Sequence, residues 1–176
     1  YYSYNEEDVI DSLKIFDIET KEEKEIPSEY IISGDNYSIV NNIVYFYGVH
    51  NKGNEAALYQ YDIKKDKVSK RKIDIDGIIT YYKAIGNSEV IFTFDGVRYN
   101  LSIFKDSKKV TSRDDFTKIE DFLCVNDKYY IVGVTTDDTT RIYEISSDGE
   151  KRTMTFDFPK SIYVDRGIVS DGNNIY

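Results

Sequence analysis

The chain has 176 residues and carries 32 acidic against 23 basic side chains, a net charge of −9 that repels phosphate backbones and anionic surfaces and excludes nucleic acid as an expected partner. Seventeen tyrosines and nine phenylalanines, with scarce alanine and only two prolines, point to strands and away from helices. The longest apolar run, Ile43 to Val49, falls far short of the ~20 residues of a membrane helix, so no membrane insertion is expected, and the single cysteine excludes a disulfide within the chain.

An internal repeat organises the sequence. The segments Leu13-Lys-Ile-Phe-Asp-Ile18, Leu58-Tyr-Gln-Tyr-Asp-Ile63, Leu101-Ser-Ile-Phe-Lys-Asp106 and Ile142-Tyr-Glu-Ile-Ser-Ser147 share one apolar pattern, and their starts lie 45, 43 and 41 positions apart. A second marker keeps step with the first. The turn pairs Asn41-Asn42, Gly86-Asn87, Asn126-Asp127 and Asp171-Gly172 recur at intervals of 45, 40 and 45, and all are residues that tolerate the positive φ of a tight hairpin.

In chain order, the first unit, 1–27, opens with Tyr1-Tyr-Ser-Tyr4 as a second strand and continues with Leu13 to Ile18 and Glu23 to Ile26 as third and fourth strands. The second unit, 37–73, has a short apolar first strand, Ser38 to Val40, and a second strand, Ile43 to Gly48, that is apolar on both faces. Its third strand alternates Tyr59, Tyr61 and Ile63 with Gln60 and Asp62, a period of two, and its fourth strand carries Lys70, Arg71 and Lys72. Units 82–116 and 121–158 repeat the scheme. Their second strands are Val90 to Phe94 and Tyr129 to Gly133, and cations at Arg113, Lys151 and Arg152 mark fourth strands at exposed edges, where charge blocks edge-to-edge pairing. Cys124, in the apolar run Phe122 to Val125, reads as a buried small hydrophobe. A partial unit, 162–176, supplies a first strand at Gly167 to Asp171 and the opening of a second at Asn174 to Tyr176.

Four short antiparallel strands every ~43 residues predict an all-β fold of β-propeller blades, about four blade equivalents in one domain. Because the sequence starts and stops inside a blade, two outcomes are expected: a four-bladed ring whose termini share one blade or, as the leading expectation, a portion of a larger propeller that takes its remaining blades from a longer chain or from self-association. The second-strand glycines Gly48 and Gly133, with Phe94 in their place in unit 82–116, precede Leu58-Tyr-Gln-Tyr-Asp62 and Ile142-Tyr-Glu144 by about ten positions. In this the chain resembles a degraded kelch-type blade array, or a relative among propellers of bacterial surface lipoproteins. The resemblance implies the architecture alone; an extracytoplasmic, secreted or surface-anchored setting is a separate expectation, for a chain that begins at Tyr1 and not at a methionine.

The chemistry available is sparse. One histidine, His50, gives no zinc-ligand spacing and leaves serine or Cys124 without a clear base; no glycine-rich phosphate loop occurs; and the acidic turns Asp74-Ile-Asp-Gly77 and Asp171-Gly-Asn-Asn174 lack a full calcium loop. No cofactor, metal or catalytic residue is expected. Binding on the loops between second and third strands is the leading expectation, because such loops vary while sheets hold them rigidly. The candidate residues are His50, Asn51 and Asn54 in the first such loop, Arg98 and Tyr99 in the second, and Asp137 and Asp138 in the third. The function this predicts is a non-enzymatic module that presents loops to a protein or glycan. Two alternatives stand beside it: the propeller portion of a carbohydrate-active enzyme with paired carboxylates, and a scaffold for a neighbouring domain.

Overall fold

The computed structural model describes residues 2–4, 9–53, 56–137, 139–146, 148, 152–157 and 168, and among these every regular element is a strand. Of the predicted partial unit 162–176, only Ile168 falls within the described residues; the turn Asp171-Gly172 lies outside them. The chain divides into two compact units, Tyr1–Asp74 and Ile75–Tyr176.

The first unit contains β1 (Tyr2–Tyr4), β2 (Val9–Phe16), β3 (Glu23–Glu25), β4 (Tyr30–Val40), β5 (Ile43–His50), β6 (Ala56–Asp62) and β7 (Lys67–Lys70). The repeat predicts two blade-like units over this stretch, and the structure joins them. Strands β4 to β7 form an antiparallel meander, β1 and β3 flank β2, and β2 also pairs with β4 through Val9↔Ser33 and Ile10↔Ile32, giving one seven-stranded sheet. The join is possible because β4 is 11 residues long rather than the short stub its apolar residues suggest. A register break between Ile32 and Tyr37 sets Ser33 to Asn36 out of phase with β5, which interrupts the alternation that would have made the strand legible.

The second unit holds two four-stranded antiparallel sheets in which each strand pairs with its neighbour in sequence. One consists of β8 (Ile78–Ile85), β9 (Ser88–Phe94), β10 (Tyr99–Lys105) and β11 (Lys108–Arg113), the other of β12 (Phe116–Val125), β13 (Lys128–Thr135), β14 (Thr140–Ile145) and β15 (Arg152–Asp157). Their first strands, β8 and β12, again start upstream of the predicted positions 82 and 121, and Phe116 opens β12 instead of closing the preceding unit. Bulges are the reason in both. Thr80 is the extra residue between Ile79 and Tyr81, and Thr117 and Glu120 are extra in β12. The two bulge threonines act alike: Thr80 Oγ1 donates to the Phe92 carbonyl at 3.2 Å and Thr117 Oγ1 donates to the Val134 carbonyl at 3.2 Å.

The turns follow the sequence. Asn41 and Asn42 (φ 51° and 64°), and Asn126 and Asp127 (φ 50° and 60°), both adopt positive φ, the geometry that lets a two-residue loop match strand twist, while Gly86 takes it at φ 60° before β9. Where the loop is longer, an aspartate organises it: the Asp62 carboxylate accepts the Lys64 and Lys65 amides at 3.0 Å, as Asp17 accepts those of Glu19 and Thr20. The cation-bearing strands β7, β11 and β15 do lie at sheet edges.

Register aligns the sheets. Ile32 faces Gly48, Ile79 faces Thr93 and Ile119 faces Gly133, so the counterpart of the two glycines in the β8–β11 sheet is Thr93 and not Phe94. Glycine is needed where the first strand crosses closest. A Cβ on Gly48 would be driven into the Ile31 carbonyl oxygen, and one on Gly133 would stand 2.6 Å from the Phe116 ring.

Each unit has its own core. In the first, Leu13, Ile26, Ile32, Val44, Phe46, Tyr59 and Tyr61 pack together, with the Phe46 and Tyr59 rings stacked at 5.5 Å. In the second, Val90, Phe92, Leu101 and Ile103 of one sheet pack on Phe116, Ile119, Phe122, Tyr129, Ile131, Tyr143 and Ile145 of the other. Burial of one such Phe or Ile contributes about 1.5–3 kcal/mol. Strand β9 is buried on both faces from Ser88 to Thr93, as its continuous apolar character predicts. Cys124 is half-buried against this core, where burial pushes its thiol pKa up.

Candidate functional site

The three predicted loops occupy equivalent places, between β5 and β6, β9 and β10, and β13 and β14. In the first loop, His50 ends β5. Its ring lies edge-on to Tyr30 at 4.8 Å and its Nδ1 accepts the Lys52 amide at 3.3 Å. Asn51 is exposed and its amide donates to the Glu29 carbonyl at 2.9 Å. Both residues shape the turn that leaves β5. Asn54 lies outside the described residues.

In the second loop the Asp95 carboxylate accepts the amides of Val97 and Arg98, both at 2.7 Å, and these amides, Arg98 first, hold its pKa below the usual carboxylate range. The tip therefore keeps a fixed shape while Val97, at 83% exposure, and Arg98 stand in solvent. Tyr99 starts β10, stacks on Phe92 at 5.3 Å and tilts against Phe94 at 4.7 Å. In the third loop Asp137 is taken by its own hairpin: Thr135 Oγ1 donates to it at 2.6 Å and Arg141 Nη1 approaches at 2.8 Å, contacts that lower its pKa. The Asp137 charge is answered by Arg141, and Asp138 lies outside the described residues.

A polar constellation that sequence reasoning missed sits between the two sheets of the second unit. Asp121, on β12 and 8% exposed, forms an ion pair with Lys83 of β8, accepts the Tyr81 hydroxyl at 3.2 Å and the Phe122 amide at 2.8 Å through the same oxygen, and accepts the Ile168 amide at 2.7 Å through the other. Burial and then the adjacent Asp121 charge drive the Tyr81 pKa far above its ordinary value, so this phenol stays protonated and donates. A second buried carboxylate, Glu89, accepts the Tyr82 hydroxyl at 2.9 Å. The one sequence signal for Asp121 is an acidic residue inside an apolar strand, a placement disfavoured unless the charge is paired.

Beside this cluster lies a cavity of about 230 Å³ lined by Thr80, Tyr81, Phe92, Tyr99, Thr117, Lys118 and Ile119. Phe92 and Ile119 are buried at its floor, Tyr81 and Tyr99 are half-buried walls, and Thr80, Thr117 and Lys118 are exposed at its rim. Of the predicted residues, only Tyr99 belongs to it. Among the described residues no three His, Cys, Asp or Glu side chains converge as metal ligands. Compared with known protein families and with curated proteins, the chain matches none.

Proposed function

We propose that this chain is a β-propeller blade array acting as a non-enzymatic binding module, in a secreted or surface assembly, whose loops between second and third strands engage a glycan or protein partner. The observation that carries the reading is the contrast between a constant frame and variable loops. Ile32–Gly48, Ile79–Thr93 and Ile119–Gly133 keep one register across three sheets, while the loops above them are built around a histidine, an aspartate turn and an Arg–Asp pair respectively. A frame that repeats with tips that differ suits recognition. The paired-carboxylate alternative gains no comparable support, because Asp121 is engaged by Lys83 and two amides, and Glu89 is engaged by Tyr82.

The test is an immobilised panel of oligosaccharides probed with the full chain, with the loop variant Val97→Asp/Arg98→Glu and with Ser107→Gly in the turn at the opposite end of β10. Binding that falls at least tenfold in the loop variant and holds in the turn variant supports the reading. Cleavage of a bound oligosaccharide, or binding indifferent to the loop, overturns it.

A further inference from the structure

We propose that the cavity between the paired bulges of β8 and β12 is a binding site for a single uncharged sugar ring. The inference rests on the reading of the chain as a binding module and narrows its partner to a glycan. Bulges re-aim side chains at functional edges, and here Thr80 and Thr117, the bulge residues of facing first strands, both stand at the rim of one cavity whose wall includes Tyr99, at the root of the β9–β10 loop.

Hydrogen-bond bookkeeping then selects the ligand. The Thr80 and Thr117 hydroxyls give their protons to the Phe92 and Val134 carbonyls, and the Tyr81 hydroxyl gives its proton to Asp121. The two exposed threonines of the lining therefore offer hydroxyl oxygens with protons committed and lone pairs left to accept, while the Tyr81 hydroxyl is turned to Asp121. The one cation of the lining, Lys118, is held by Glu120 at 2.8 Å. A phosphate or carboxylate, which only accepts, finds little here. An ammonium group finds acceptors but no carboxylate to answer its charge, since Asp121 is neutralised by Lys83 and Lys118 stands at the rim. A donor-rich neutral ring is the class that remains. Tyr81, Phe92 and Tyr99 supply the apolar faces that the C–H face of a sugar requires, and a volume of about 230 Å³, below the ~300–1,000 Å³ of drug-sized sites, takes one ring and not a chain.

The experiment is a ligand-observed NMR titration of the full chain with methyl glycosides of glucose, galactose, mannose and N-acetylglucosamine, with glucuronate and trimethylammonium as charged probes. At least one neutral glycoside is expected to bind saturably, and Thr80→Val and Thr117→Val, which keep the branched shape, are each expected to weaken it about fivefold, the effect of one lost hydrogen bond. Ser107→Gly, in the turn at the far end of β10, should leave this monosaccharide affinity within about twofold. Absence of saturable binding by all four glycosides, tighter binding of either charged probe, or threonine variants that bind as well as the parent overturns the inference. Oligosaccharide binding that depends on the loop while the threonine variants change nothing would sink the cavity site and leave the binding-module reading standing.

Discussion

The two compact units engage their polar groups in different ways. In the first, the fully buried Tyr61 donates its hydroxyl to Asp66 at 2.7 Å, five residues away in the next turn, and Asp62 and Asp17 close their own loops. In the second, Asp121 collects Lys83, Tyr81 and the Ile168 amide, partners 38 to 47 residues distant, and so ties β12 to β8 of the facing sheet. In the first unit these groups finish hairpins, and the one long reach set beside them, Lys24 Nζ donating to the Ile63 carbonyl at 2.6 Å, links β3 to the end of β6 within one seven-stranded sheet, whereas in the second they hold two sheets in one arrangement. Cooperative loss on mutation should follow the second pattern and not the first.

The sharpest way to break this contrast is Asp121→Asn. It leaves the Lys83 ammonium without its carboxylate, and because Lys83 is about a third exposed the loss expected is about 3 kcal/mol, the lower end for a broken buried pair. Urea unfolding followed by hydrogen exchange should show this loss across β8 to β14 and leave β4 to β7 unchanged. Lys83→Met added to Asp121→Asn should recover part of it. A loss shared equally by both units would end the comparison.

Next in size are the glycines. Gly48→Ala meets backbone and should cost about 3 kcal/mol, while Gly133→Ala meets a ring that can shift and should cost about 1–2 kcal/mol, both measurable as urea midpoints. Thr93→Gly, which gives the β8–β11 sheet the residue of the other two, should cost ~1 kcal/mol through lost packing and added backbone freedom. An Ala at Gly48 tolerated as well as one at Gly133 would mean that the close crossing of β4 over β5 is absent.

A smaller effect separates the units by pH. Burial first, and then the Asp66 contact, push the Tyr61 pKa up to about 12 from its ordinary value near 10. A raised folded pKa means that the unfolded chain releases this proton first, so the stability from Tyr61 is complete below pH ~10 and is lost as pH rises through the folded value. Alkaline unfolding of β4 to β7 should therefore steepen over this window, and Tyr61→Phe, expected to cost about 1 kcal/mol at neutral pH through the lost hydrogen bond, should flatten it. The least expected effect is in the turns: Asn42→Gly relieves a positive φ of 64° and should stabilise the β4–β5 hairpin by at most about 1 kcal/mol, seen as a higher thermal midpoint.

Much of the candidate site's frame was legible in the residues. The connections from β5 to β6, β9 to β10 and β13 to β14 fall where the repeat puts variable loops, and Tyr99 lines a cavity. The pairing of Asp137 with Arg141, four positions on in the same hairpin, was not legible, because it depends on how the chain turns between β13 and β14. Nor were Thr80 and Thr117, which look like ordinary strand threonines until the register shows them to be extra residues.

What the sequence determined by itself is what short-range physics controls. Period-two alternation marks strands such as β6, asparagine and glycine at positive φ mark the hairpins, cations mark edges β7, β11 and β15, and the ~43-residue spacing marks the repeat. Only the tertiary structure decided the rest. The joining of β2 to β4, the bulges that lengthen β4, β8 and β12, the choice of Thr93 as the glycines' counterpart and the gathering of Lys83, Tyr81 and Ile168 on Asp121 all depend on which strands lie opposite each other. A register shift of one residue changes every partner without changing any local propensity, so no window of sequence carries that information.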